Sequence, residues 1–184
     1  MKVDLSRYDE QNLAYKQSIG ASYLKQLLWF FCSTVFVRNP LIPFSGFRKV
    51  VLVLFGAKIG KSPRIRPGVI IKFPWKLVMG DHVWLGENCW IDNMAQVTIG
   101  SNSCISQGAF ICTGNHNFSS PDFELMAKPV VISDGVWIGA CTVVCPGVHA
   151  AQQSVLSAGS VVTTDMESNM VYQGNPAIIK RKRF

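Results

Sequence analysis

Acidic side chains are scarce in this sequence. Eleven Asp and Glu stand against eighteen Lys and Arg, a formal charge of +7, and charged residues of both signs fill only 16% of the 184 positions. With 48% hydrophobic residues, so low a charge excludes a disordered chain. The length suits one domain with a real core and is too short for two ordinary ones. The excess of cations favours an anionic partner, whether nucleic acid, a membrane surface or a phosphorylated ligand, and charge alone does not choose among them. Cysteine pairs at metal-ligand spacing are absent too. Cys32, Cys89, Cys104, Cys112, Cys141 and Cys145 contain no CxxC, so no metal or disulfide framework is supported and they read as small, reduced, apolar side chains.

Nor is there a long apolar run. Leu27–Val37 (LLWFFCSTVFV) is the strongest, but Lys25 and Arg38 bound it at about a dozen residues, where a membrane-spanning helix needs roughly 20. Val50–Phe55 is shorter still. The first 20 residues hold Asp4, Asp9 and Glu10 and no apolar stretch, unlike a secretory signal peptide. A reducing, cytoplasmic setting is therefore expected. Two readings of Leu27–Val37 stay open. It is a cap helix buried against the domain, or an amphipathic helix on the inner face of a membrane, with Lys25, Arg38, Arg48 and Lys49 toward anionic headgroups.

What the sequence does have is a period. Aliphatic residues recur every six positions: Met79, Leu85 and Ile91; then Ile99, Ile105 and Ile111; then Ile132, Ile138, Val144, Ala150, Leu156 and Val162. Ile59, Ile65 and Ile71 form a weaker first trace. Four positions after most anchors stands a small or β-branched residue: Val83, Cys89, Ser103, Ala109, Val136, Thr142, Val148, Ser154 and Ser160. Six fits neither the helical period of 3.6 nor the strand period of 2. It fits a chain that turns a corner after each short strand, with Gly, Asn or Asp supplying the unusual backbone angles. Three such faces make a triangular coil of roughly 18 residues, and stacked coils pair at about 4.8 Å. The expected fold is an all-β solenoid, a parallel β-helix of hexapeptide repeats, with an N-terminal apolar segment over 1–56, the β-helix over 57–171 and a basic tail over 172–184.

The repeat slips twice. Two extra residues sit around Asp92–Met94, and three beyond the period lie between Ile111 and Ile132. A solenoid has no spare room, so the segment 114–129 (GNHNFSSPDFELMAKP) is expected to leave the stack as a loop. His116 opens that loop, where the repeat gives it no packing role, and imidazole suits general-base work near neutral pH. His82 and His149 fall at positions that repeat a corner pattern and read as structural. Asp92, Asn93 and Asn88, with Asn115 beside His116, are candidates for binding an acceptor. Asp and Asn also make corners, and Glu124 is a weaker candidate. Trp75, Trp84, Trp90 and Phe118 suit either stacking on a flat ligand face or packing on the solenoid surface.

The segments WIDNMAQVTIG (90–100), ISQGAFICTGNH (105–116), ISDGVWIGACTVVCPGV (132–148), SAGSVVTTD (157–165) and GNPAIIKRK (174–182) resemble the acetyltransferases built on a left-handed parallel β-helix. The similarity is greatest to the subgroup that O-acetylates exopolysaccharides of the colanic-acid type, and it includes the N-terminal segment. The resemblance implies a left-handed coil, against the usual right-handed crossover. It also implies a homotrimer, acetyl-CoA as co-substrate, a sugar or glycan acceptor and no metal. It assigns the base to His116 and the donor contacts to Trp137, Gly139, Ala140, Ala158, Gly159, Thr163 and Thr164, with Lys180 and Arg181 toward the CoA phosphates. Many relatives carry Ser at the position of Ala140 and Lys at that of Thr164, so this chain lacks one hydroxyl and one cation there.

Two other classes of function stay in view. A metal-dependent lyase on the same fold needs three clustered histidines, whereas only His116 lies in the loop. A non-catalytic scaffold or membrane-assembly protein would use the N-terminal segment as its interface. A nucleic-acid module would interleave cations and aromatics on one face, but here the cations gather at the two ends, and no nucleic-acid partner is expected.

Overall fold

The computed structural model describes residue 16 and residues 18–184. Asp4, Asp9 and Glu10, which carry the signal-peptide reading, lie outside the described residues. The chain coils into a parallel β-solenoid of three walls. The first wall stacks Lys58–Ile59, Leu77–Met79, Val97–Ile99, Val130–Ile132 and His149–Ala150. The second begins at Arg64–Ile65, passes through Trp84–Leu85, Cys104–Ile105, Trp137–Ile138 and Val155–Leu156, and ends at Met170–Gly174 and Ala177–Lys182. The third stacks Ile70–Ile71, Trp90–Asp92, Phe110–Cys112, Val143–Val144 and Val161–Val162.

The six-residue anchors are the inward side chains. Ile65, Leu85, Ile105, Ile138 and Leu156 stack directly on one another along the second wall and are fully buried. Ile71, Ile91, Ile111, Val144 and Val162 do the same along the third. All nine small residues of the pattern are also buried, because a triangular interior holds one large side chain per face at native packing density. The corners use left-handed backbone. Ser62, His82, Asn102, Gly135, Gln153 and Asn169 take one such turn per coil, with φ from +48° to +67°. Gly68, Asn88, Gly108, Cys141 and Gly159 take the next one. His82 is thus a corner residue. His149 is not: it lies in the first wall, its Nε2 2.9 Å from Ser133 Oγ.

The slip at Asp92–Met94 has a twin, since Ile71 and Met79 are also eight residues apart. Between Ile71 and Met79 the chain makes a 3-10 turn, Pro74–Lys76. The turns stack. Asn93, fully buried, accepts from Phe73 N–H at 2.9 Å and donates to Phe73 C=O at 2.6 Å.

Two short helices, α1 (Tyr23–Cys32) and α2 (Ser45–Leu54), follow one another through a π-helical turn, Ser33–Val37. They meet the first coil through few but specific contacts. Trp29 Nε1 donates to Ile71 C=O at 3.0 Å. Arg48 is fully buried, with its guanidinium donating to the carbonyls of Val37, Ile65, Asn39 and Ile42. Lys49 Nζ donates to Gly60 C=O at 2.7 Å, and Lys25 lies over the Trp75 ring. Neither open reading of this segment survives whole. Arg48 and Lys49 are turned into the protein, not toward headgroups, and the helices are not buried: only Trp29 in α1, and Arg48, Val51 and Leu52 in α2, are. No helix among the described residues is long and apolar enough to cross a membrane.

The basic run is likewise not a tail. Ala177–Lys182 folds back antiparallel on Met170–Gly174 and closes the far edge of the second wall, which would otherwise present unpaired backbone groups.

Candidate active site

The segment 114–129 leaves the solenoid as a hairpin, with Gly114–His116 antiparallel to Leu125–Ala127. Its base is clamped by Thr113, a buried residue whose Oγ1 donates to Asp92 C=O at 2.9 Å and accepts from Ala95 N–H at 2.9 Å. The extra turn of the coil below thus holds the hairpin's root. A Cβ at position 114 would lie 2.4 Å from Met94 Sδ, so a larger residue there would displace that methionine.

His116 is fixed by the returning strand. Its ring stacks on Phe123, with centroids 4.4 Å apart and planes 5° from parallel, and its Nδ1 lies 3.0 Å from Phe123 C=O. A carbonyl only accepts, so Nδ1 carries the proton of the neutral ring and Nε2 the lone pair. That is the tautomer a general base needs. Phe123 adopts φ +49°, uncommon for an aromatic residue, and such backbone is found where a group must be aimed. Sequence motifs gave no sign of Phe123. The pattern that exposes it is the hairpin register, which appears only once the strands are paired.

Of the four acceptor candidates, one lies under the root of the hairpin and one beside this histidine. Asp92 sits directly below Cys112 in the third wall, its carbonyl bonded to Thr113 and its carboxylate 3.0 Å from Lys72 Nζ. Asn115 is exposed next to His116, with its Oδ1 accepting the His116 N–H at 2.8 Å. The other two are placed elsewhere. Asn93 is enclosed with both ends of its amide spent on Phe73, so it holds two coils together and faces no ligand. Asn88 is the exposed left-handed corner between the second and third walls, away from the hairpin's corner. Glu124 is tied within the hairpin. Bonds from its own N–H, then Ser120 and Asn117, hold its carboxyl below the usual carboxylate range.

The donor candidates divide in the same way. Trp137, Gly139, Ala140, Ala158 and Arg181 line one groove of about 570 Å³ on the second wall, joined by Arg183 and Phe184. Trp137 is half exposed, with its Nε1 donating to Ser106 Oγ at 2.9 Å. Gly139 has a structural reason beyond the groove: a Cβ there would meet Ala158 N and Leu156 O of the next coil at 2.6 Å. Gly159 is the corner just beyond, donating to Ala140 C=O at 2.8 Å. Lys180 projects from the last strand outside this groove, and Arg183 lines it instead, pinned to Gly135 C=O at 2.8 Å and Gln153 C=O at 3.1 Å. Thr163 and Thr164 follow the third wall, at the corner from which the hairpin leaves two coils earlier. Below the groove, and sharing Ser106, Gln107, Trp137 and Arg183 with it, runs a second stretch of about 670 Å³ containing Trp84, Arg64, Arg66 and Glu87. Arg64 stacks on Trp84.

One subunit therefore carries two separated halves. Asp92, Thr163, Thr164 and the hairpin with His116 occupy the corner between walls three and one. The long channel occupies wall two. The three histidines lie apart, on a corner, a wall and the hairpin, and no group of three His, Cys, Asp or Glu among the described residues is placed to hold a metal ion.

No protein-family model matches the chain. Individual proteins do. The chain is 40% identical over 165 residues to the putative colanic acid biosynthesis acetyltransferase WcaF of Escherichia coli (strain K12), covering 89% of this chain and 90% of that protein. It is 31% identical over 129 residues to the galactoside O-acetyltransferase of the same organism, covering 68% of this chain and 64% of that one. Among solved structures, a hexapeptide-repeat-containing acetyltransferase from Vibrio cholerae superposes with a TM-score of 0.73 at 27% identity, covering 95% of this chain and 93% of that one. The chain belongs to the hexapeptide-repeat acetyltransferases, within the subgroup of colanic acid biosynthesis acetyltransferases.

Proposed function

We propose that this acetyltransferase moves an acetyl group from acetyl-CoA to a hydroxyl of a sugar or glycan intermediate, with His116 as general base. The observation that carries the reading is the His116–Phe123 contact, which aims a neutral imidazole in its Nε2-basic tautomer. A hydroxyl is a weak nucleophile at neutral pH. In a ternary complex its oxygen attacks the thioester carbonyl while Nε2 takes its proton. The C–S bond breaks, CoA leaves as thiolate, and the imidazolium returns the proton to the sulfur.

The wall-two groove suits the donor. Its small residues, Gly139, Ala140 and Ala158, leave room for a slender pantetheine arm, and Arg181 and Arg183 lie at the end where phosphates need neutralising. Trp84, with Arg64 on its ring, offers the adjoining stretch a flat apolar face for a sugar. In the neighbouring structure described as complexed with acetyl-CoA, the similarity in sequence is 24%, which supports a common fold. Because base and groove lie on different sides of one subunit, we infer a homotrimer in which each hairpin reaches the neighbour's wall. The enzyme works in the cytoplasm, in peripheral contact with the inner face of the membrane.

The test is His116→Ala. Turnover should fall about 10²–10⁴-fold while acetyl-CoA binding and oligomeric state stay unchanged. Wild-type turnover would remove His116 from the chemistry. Absence of acetyl-CoA binding by the folded wild-type protein would turn the reading to a scaffold. Mixing inactive His116→Ala with inactive Trp137→Ala subunits should restore part of the activity if the site is shared, and none if it is not.

A further inference from the structure

We propose that the outward faces of α1 and α2 form a docking surface for an anionic phospholipid bilayer. The inference deepens the peripheral-membrane part of the reading above and rests on it, but not on the chemistry of acyl transfer.

Both helices expose more apolar side chains to solvent than they bury against the solenoid. In α1 the solvent side carries Leu24, Leu28 and Phe31, while the side toward the solenoid carries Lys25, Gln26 and Trp29. In α2 the solvent side carries Phe47, Val50 and Leu54, while Arg48, Val51 and Leu52 are the buried residues. Leu24 is 64% exposed and Leu54 77%. The rings of Phe36, in the π-helical turn that continues α1, and Phe47 meet edge to face at 5.9 Å, which joins the turn to the exposed side of α2. This orientation is fixed from within. Turning the apolar rows inward would break the Trp29 bond to Ile71 and strip Arg48 of its four carbonyls. An apolar patch of this extent marks an interaction surface.

Charge decides which partner it fits. From residue 11 to residue 80 there is no Asp or Glu, against eleven Lys and Arg. Of these, Arg38 in the turn after α1, and Lys58, Lys61 and Arg64 in the coil beneath α2, are exposed. Apolar insertion ringed by cations matches a bilayer with anionic headgroups. Against a second copy of the same face it would set like charge on like. Each helix has ten residues, long enough to lie in the interface and too short to cross it.

The experiment is flotation of the full-length protein with vesicles of phosphatidylcholine alone or mixed with phosphatidylglycerol. The protein should float with the mixed vesicles, much less with phosphatidylcholine alone, and less as salt rises. The double variant Phe31→Ser/Phe47→Ser, at two exposed positions, should bind at least about tenfold more weakly, with an unchanged melting temperature. A wild-type chain that stays unbound to the mixed vesicles overturns the proposal, as does a variant that binds like wild type. A variant that changes oligomeric state while still floating assigns the face to contacts between copies instead. Acetyl-CoA binding and thiol release without vesicles report on acyl transfer independently, and the variant should leave both unchanged.

Discussion

The solenoid and its N-terminal helices solve opposite problems with similar residues. In the solenoid every large aliphatic anchor points inward and is covered by the coil above and below. In α1 and α2 most of the large apolar residues point outward, and the solenoid is met by a few buried side chains, Trp29, Val51 and Leu52, together with an indole N–H and a guanidinium. Burial explains the first arrangement without further help. The second leaves most of its apolar surface in water, so the contrast separates a part held by its own packing from a part shaped for a surface.

Three substitutions press on that contrast. Ile105→Ala removes the middle of the second-wall column and should destabilise the fold by about 2–5 kcal/mol, read by chemical denaturation. A cost near zero would mean the stack collapses around the gap and is not rigidly packed. Thr113→Val leaves Ala95 N–H without its partner at the hairpin's root and removes one of the two bonds to Asp92 C=O, the Thr113 N–H remaining at 3.2 Å. It should cost about 1–2 kcal/mol and lower turnover beyond any change in acetyl-CoA binding, because the hairpin that carries His116 loses its clamp. Equal turnover would show that Phe123 alone positions the ring. Leu54→Ser, on the exposed face of α2, should move stability by less than about 0.5 kcal/mol. A larger loss would place Leu54 in a contact that stabilises the soluble protein.

The walls were legible in the sequence because a period of six with fixed phase has one physical solution, and the hairpin was legible because an insertion cannot stay inside it. Asp92 and Asn93 show the boundary of that reading. Both mark the same slip, yet one lies under the hairpin and the other closes on Phe73, a partner visible only when coils are in register. Phe123 is a like case: what matters is a carbonyl direction, set by backbone angles that residue type does not encode. The helices misled for a different reason. Hydropathy announces an apolar segment but not which side of it faces water, and a buried arginine reads as a surface charge until its four acceptors are found. At the C-terminus, Lys180–Arg183 read as a charged tail because the strand's partner, Met170–Gly174, breaks the hexapeptide phase.

One strand-to-strand step in the first wall is long. Val78 pairs with Thr98, 20 residues on, and Val131 with His149, 18 residues on, but Thr98 pairs with Val131 after 33. By the logarithmic law of loop closure the longer detour adds only about 0.4 kcal/mol, and the ladder resumes in register on the far side. The hairpin is therefore a nearly free cassette. Apart from His116 and Phe123, which hold each other, the hairpin can change in length at little cost to the stack that displays it.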